Sequence, residues 1–172
     1  MSAKAFDVTW GRRIWLITGL VMLLASAVTI TITTAASPDE AVWIRWILPW
    51  VVPGIPATTA LWMIRRYELD DHELRVHRPF WVNRIPLSDI ASAEVDPRAC
   101  RGAWKTLGND GLFAMHGRFR SRRLGKFQAY VTNPEQAVIL RVTNDTIVIS
   151  PAEPRKFLNE LNRRLDRLKD RH

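Results

Sequence analysis

Cysteine is nearly missing from this chain. Cys100 is the only one, which excludes an intrachain disulfide framework and any cysteine-based metal site. The four histidines, His72, His77, His116 and His172, lack metal-ligand spacing, and His77 alternates with apolar neighbours as an outward strand residue would. No G-x-S-x-G elbow, phosphate-cradling glycine loop or H-E-x-x-H pair occurs. Gly108-Asn109-Asp110-Gly111 could cup an anion, and Asp70, Asp71 and Glu73 could hold a cation. Plain turns account for both more simply. The chain therefore reads as a non-enzyme, with no cofactor, no metal and no small-molecule substrate.

Charge is missing from one long stretch. Ile14–Ala36 carries none, and a helix of that length spans roughly 34 Å, against about 30 Å for a bilayer's hydrocarbon core. Val42–Ile64 is equally long and carries only Arg45. The five residues Ser37–Ala41 between them can only reverse direction. The expectation is a two-helix transmembrane hairpin: a tail over 1–13, helices over 14–36 and 42–64, and an external turn over 37–41. A cleaved secretory signal is the competing reading, because Arg12-Arg13 and Ala25-Ser26-Ala27 imitate its ends. The apolar run continues past Ala27 through Val28, Ile30 and Ile32, longer than a signal core needs.

The formal net charge is +8, and Arg12-Arg13 and Arg65-Arg66 flank the same side of the hairpin. By the positive-inside rule both termini are cytoplasmic, in an integral membrane protein. Arg12, Arg13, Trp15, Trp43, Arg45, Trp62, Arg65 and Arg66 are the expected interface anchors: the indoles at headgroup level, Arg45 snorkelling outward. Pro49, Pro53 and Pro56 predict a bend in the second span.

From Tyr67 the apolar period changes from helical to alternating. Strands are expected at Tyr67–Leu69, Leu74–His77, Phe80–Val82 and Ala91–Val95, with a turn over Pro86–Ile90. Asp96–Gly111 reads as irregular. Strand pairs follow at Leu112–Arg120 with Lys126–Thr132, and at Ala137–Val142 with Thr146–Ile149. Ser150-Pro151-Ala152-Glu153 has the form of a capping box, opening an amphipathic helix over about 151–170 with Phe157, Leu158, Leu161, Leu165 and Leu168 on one stripe.

This order resembles the bacterial pleckstrin-homology (PH)-like domains, in particular those that follow a transmembrane hairpin. The residues carrying the likeness are Tyr67-Glu68-Leu69 with Leu74-Arg75-Val76, and Ile85-Pro86-Leu87-Ser88-Asp89-Ile90. Gly117-Arg118-Phe119, Gly125-Lys126, Tyr130-Val131-Thr132 and Val148–Pro154 with Phe157 and Leu161 complete it. The resemblance implies an α+β domain over 65–172, a seven-stranded, partly open antiparallel barrel capped by the C-terminal helix. It implies no shared enzymatic activity.

One basic cluster stands out: Arg118, Arg120, Arg122, Arg123 and Lys126. At a strand's period of two, Arg118, Arg120 and Arg122 share a face with Phe119 opposite. On a tethered domain such a patch suits anionic lipid or an acidic protein partner, and the trailing leucines suit a protein partner or a second copy of the chain. Nucleic acid fits poorly, since no aromatic stacking platform accompanies the arginines. The expected role is a membrane-anchored binding or assembly module. The alternative is a structural accessory subunit acting through the hairpin.

Overall fold

The structure is a computed structural model, and it describes residues 3–35, 47–59, 61, 63–110 and 114–169. The described residues hold ten strands and three α-helices. These are β1 Lys4–Asp7, α1 Arg12–Ala35, α2 Leu48–Thr59, β2 Arg66–Leu69, β3 Glu73–His77, β4 Val82–Pro86 and β5 Ile90–Val95. They continue as β6 Trp104–Asp110, β7 Met115–Ser121, β8 Gly125–Val131, β9 Val138–Val142, β10 Asp145–Ile149 and α3 Pro154–Lys169. The strands form a four-stranded sheet, β1-β2-β3-β4, and a six-stranded sheet, β5-β9-β10-β8-β7-β6. α3 packs along β5 and the short 3-10 turn Leu87–Asp89.

Alternation decides which faces are covered. Phe6, Tyr67, Leu69, Leu74, Val76 and Ile85 from the first sheet meet Tyr130, Val138, Leu140, Ile147 and Ile149 from the second, and Phe157 and Leu161 of α3 close the cluster. The intervening residues of the second sheet point the other way. Met115, Phe119, Phe127, Ala129, Val131, Ile139 and Val148 form a second cluster beneath Ala99 and Cys100.

The tail expected over 1–13 contributes a strand. β1 pairs antiparallel with β2, Lys4 opposite Leu69 and Asp7 opposite Arg66. Phe6 is buried edge-on against Phe157, with ring centroids 5.1 Å apart. The Ala152 N–H then donates to the Asp7 carbonyl, and the Gly11 N–H to the Thr132 carbonyl. A side chain on Gly11 would press on Asn133 and Pro134, its Cβ 3.0 Å from the Asn133 amide oxygen. The start of α1 is thus fastened to both sheets.

Several expectations change. The second sheet is not wholly antiparallel, because β10 runs parallel to β8. The strand expected at Phe80–Val82 begins only at Val82: Pro79 follows Arg78, whose N–H donates to the Trp81 carbonyl and closes a turn. The stretch Asp96–Gly111 is irregular only as far as Ala103; Trp104–Asp110 pairs with β7. The capping box does not form. The Ser150 hydroxyl oxygen instead accepts from the Thr132 and Asn133 N–H groups, Pro151 bridges Val8, and Pro154 takes the first helical position.

In the apolar region α1 covers the first expected span and is long and apolar enough to cross a membrane, with mean hydropathy 2.1 over its best window. It is the only such helix among the described residues. The second segment is described as helix only over twelve residues, Leu48–Thr59, packed against α1. A two-helix hairpin is therefore visible only as one long helix with a shorter companion. The expected anchors Trp43, Arg45 and Trp62 lie outside the described residues, while Arg12, Arg13, Trp15, Arg65 and Arg66 are exposed.

The Tyr67 hydroxyl ties the sheets together. It donates to the Tyr130 carbonyl at 2.5 Å and accepts from the Ser150 N–H at 3.1 Å, and burial pushes its pKa up to about 12. Tyr67→Phe would leave both backbone groups buried without their partner and is expected to cost about 1–3 kcal/mol. Phe6→Ala is expected to cost about 3–5 kcal/mol, as for other buried aromatics. Denaturant unfolding of the detergent-solubilised chain reads both, and a neutral Phe6→Ala would mean that β1 is dispensable to the domain.

Candidate functional site

The β7–β8 hairpin closes through the three residues between Ser121 and Gly125. Gly125 has φ +69°, the left-handed geometry such a short loop demands, and the Ser121 hydroxyl caps it by accepting from the Leu124 N–H. Phe119 is buried while Arg118 and Arg120 are exposed. β7 ends at Ser121, so Arg122 lies in the turn rather than on the strand face. Arg123 turns back to Asp96 at 2.8 Å. The five basic residues therefore divide. Arg118, Arg120 and Lys126 share a sheet face, Arg122 extends from the tip, and Arg123 is engaged in an ion pair.

Beside the hairpin, where β8 runs past the start of β10, lies an open groove of about 670 Å³. Arg118 and Lys126 line one side, and Arg141, Asn144, Asp145 and Thr146 of the β9–β10 hairpin line the other. Arg141 pairs loosely with Glu94 at 3.5 Å, both side chains half exposed. Arg118, Arg120 and Lys126 make no ion pair with any described residue. Arg120 also stands directly across from Lys126 in the ladder. Like charges in that relation destabilise a sheet. Of the two, Lys126 lines the groove, so an anion there would offset its charge.

Sequence reasoning missed Arg141 and Asn144, which arrive from a different hairpin. Nothing in their local spacing signals the groove, because only the parallel placement of β10 beside β8 brings them to it. The acidic turn is accounted for internally: Arg75 contacts Glu73 at 2.6 Å and Asp70 at 3.1 Å, and Arg164 holds Asp71 at 3.1 Å. No His/Cys/Asp/Glu group able to hold a metal occurs among the described residues.

A buried cation joins the two sheets. Arg78 is 5% exposed and lies over the rings of Trp81 and Tyr130, at 5.5 and 5.1 Å from their centroids. Its guanidinium meets His116, at 2.8 Å from Nδ1 and 3.2 Å from Nε2. Guanidinium only donates, so His116 must accept and be neutral. Burial and the neighbouring charge of Arg78 push the His116 pKa down to about 4, with a backbone hydrogen bond to Ala129 working the other way.

Two sheets around a shared core, a C-terminal helix over one face and an open groove lined by Arg118, Lys126 and Arg141 make up the domain. Residues 65–165, more than half of the chain, match the family described as the bacterial PH domain. The chain belongs to that family, whose members generally serve as non-enzymatic binding modules. No curated protein and no solved structure matches it. The matched region begins after β1, so the family unit here is completed by a strand from outside it.

The Arg78–His116 contact predicts an acid sensitivity. The folded pKa of His116 lies below the unfolded value of about 6.5, so the unfolded chain takes up the proton first. The stability gained from a neutral His116 is complete above about pH 6.5 and is lost as pH falls toward 4. Unfolding midpoints of His116→Gln should fall less over that window than those of the wild type. Parallel profiles would refute the assignment.

Proposed function

We propose that the protein is a membrane-anchored binding module, its apolar region crossing a bacterial plasma membrane twice and its PH domain displayed in the cytoplasm. The observation that carries this reading is the β1–β2 pairing. Lys4–Asp7 precedes α1 and Arg66–Leu69 follows the second apolar segment, yet the two strands share one ladder. Both ends of the apolar region therefore lie on the same side of any membrane, and the chain between them crosses an even number of times. If α1 crosses once, the return falls to 42–64, in which α2 is the described α-helix. The arginines flanking both ends select the cytoplasmic side.

The binding surface in this reading is the groove of Arg118, Lys126 and Arg141. The side of the groove formed by the β9–β10 turn lies at the end of β10 away from Ser150, which neighbours the residues holding Gly11. The length of β10 puts roughly 17 Å between them, about twice the Debye length at physiological salt. A groove that far from the helix base suits an acidic protein partner better than the chain's own leaflet. The five basic residues read from the sequence enter as groove lining (Arg118, Lys126) and rim (Arg120, Arg122), with Arg123 as a brace.

A photo-crosslinking amino acid at Arg120 in the full-length chain, expressed in cells, is expected to trap a protein. The double reversal Arg118→Glu with Lys126→Glu should weaken capture on the order of tenfold or more, since it turns attraction into repulsion. An adduct with phospholipid alone would replace the protein partner by a membrane surface. Capture that ignores the reversal would favour an accessory subunit acting through its membrane segment.

A further inference from the structure

A second groove, of about 310 Å³, opens at the base of α1. Arg12 and Arg13 in the first turn of the helix contribute to it, and so does Arg101 from the turns that link β5 to β6. Gly102, Asn133 and Glu135 complete the polar lining. Gly102 has φ +64°, which lets the linking turns fold back beside the helix. The geometry is fixed from below, since Gly11 donates to Thr132 and sits against Asn133 and Pro134.

We propose that this groove seats the phosphate of an anionic phospholipid from the leaflet that α1 enters. The proposal rests on the membrane-anchored reading. Three exposed arginines from two separate segments converge on it against one carboxylate, Glu135. None of the three makes an ion pair with a described residue. Two of them are the residues with which the apolar helix begins, so the groove lies at headgroup depth whenever α1 spans. Guanidinium groups present forked donors that match phosphate oxygens. Interfacial tryptophan and arginine anchors alone would not need Arg101, which comes from the folded domain; its presence makes the seat a joint product of anchor and domain.

The test is native mass spectrometry of the full-length chain, stripped of lipid in detergent and titrated with phosphatidylglycerol or phosphatidylcholine. Phosphatidylglycerol should be retained selectively, and Arg101→Ala should weaken retention by about fivefold, as for one juxtamembrane charge of about 1 kcal/mol. Arg12→Ala with Arg13→Ala should weaken it further, while Arg84→Ala, which removes the same charge from an exposed position on β4, should leave it unchanged. Equal retention of the two lipids, or equal effects of Arg101→Ala and Arg84→Ala, would overturn the seat. Displacement of the lipid by soluble glycerol phosphate at matching concentration would reassign it to a free phosphate ligand. Carbonate extraction of cell membranes separates the two layers of argument. A chain that resists extraction but shows no lipid selectivity loses the seat and keeps its anchor; one that is extracted loses both.

Discussion

The pairing of β1 with β2 is the constraint on which the rest depends. A strand of four residues before the apolar region and one of four residues after it share a ladder. Every residue between them is therefore a closed loop on the domain. Closing so long a loop is costly in entropy, though the cost grows only logarithmically with length. Packing of the two helices on each other offsets part of it, as does the burial of Phe6 against Phe157. The same closure ties the domain to the base of the first helix. Gly11, Thr132, Asn133 and Ser150 form one hydrogen-bonded junction from which α1 departs.

That junction gives the domain a polarity. Asp7, Arg66 and His77 stand abreast in the first sheet, so the Arg78–Trp81 turn lies at the end where the chain enters and leaves the apolar region. Arg12, Arg13, Arg65, Arg66, Arg78 and Arg101 all gather there. Asp70, Asp71 and Glu73 occupy the opposite turn, where Arg75 and Arg164 hold them. On the proposed membrane-anchored reading, a domain oriented in this way would present positive charge to an anionic surface and turn its acidic end away. The orientation reinforces the positive-inside signal rather than merely following it. Arg78 differs from the others in kind. It is buried between two aromatic rings and a neutral histidine, so it serves the joint between the sheets and is closed to a ligand.

Periodicity made most of the domain legible. The alternation of Leu74 and Val76, of Phe127 and Ala129, and of Val138 and Leu140 located β3, β8 and β9 to within a residue, and the leucine stripe located α3, whereas β4 was expected too early, at Phe80–Val82. What stayed hidden was what depends on partners distant in sequence. Lys4–Asp7 has too few apolar residues to announce a strand and forms one only because the edge of β2 accepts it. Trp104–Asp110 was masked by its glycine and asparagine, which pairing with β7 overrides. Ser150 looked like a helix cap because its local sequence offered it that role. The backbone of Thr132 and Asn133, brought close by the parallel placement of β10, claimed its oxygen instead.

The same distinction separates the two grooves. Both are lined by arginines that the sequence displays in local groups, Arg118 to Lys126 in one case and Arg12-Arg13 in the other. In each, the residue that turns a charged patch into a concave site comes from elsewhere: Arg141 for the first, Arg101 for the second. A patch of like charge on a single element is commonly solvated and contributes little. Convergence from separate elements is different, because the backbone then holds the charges together whether or not an anion is present. Arg120 is set across from Lys126 by folding, and a counter-charge nearby would ease their repulsion. On the proposed reading, an anionic partner would meet a surface already arranged for it, with little further ordering of the chain to oppose the interaction.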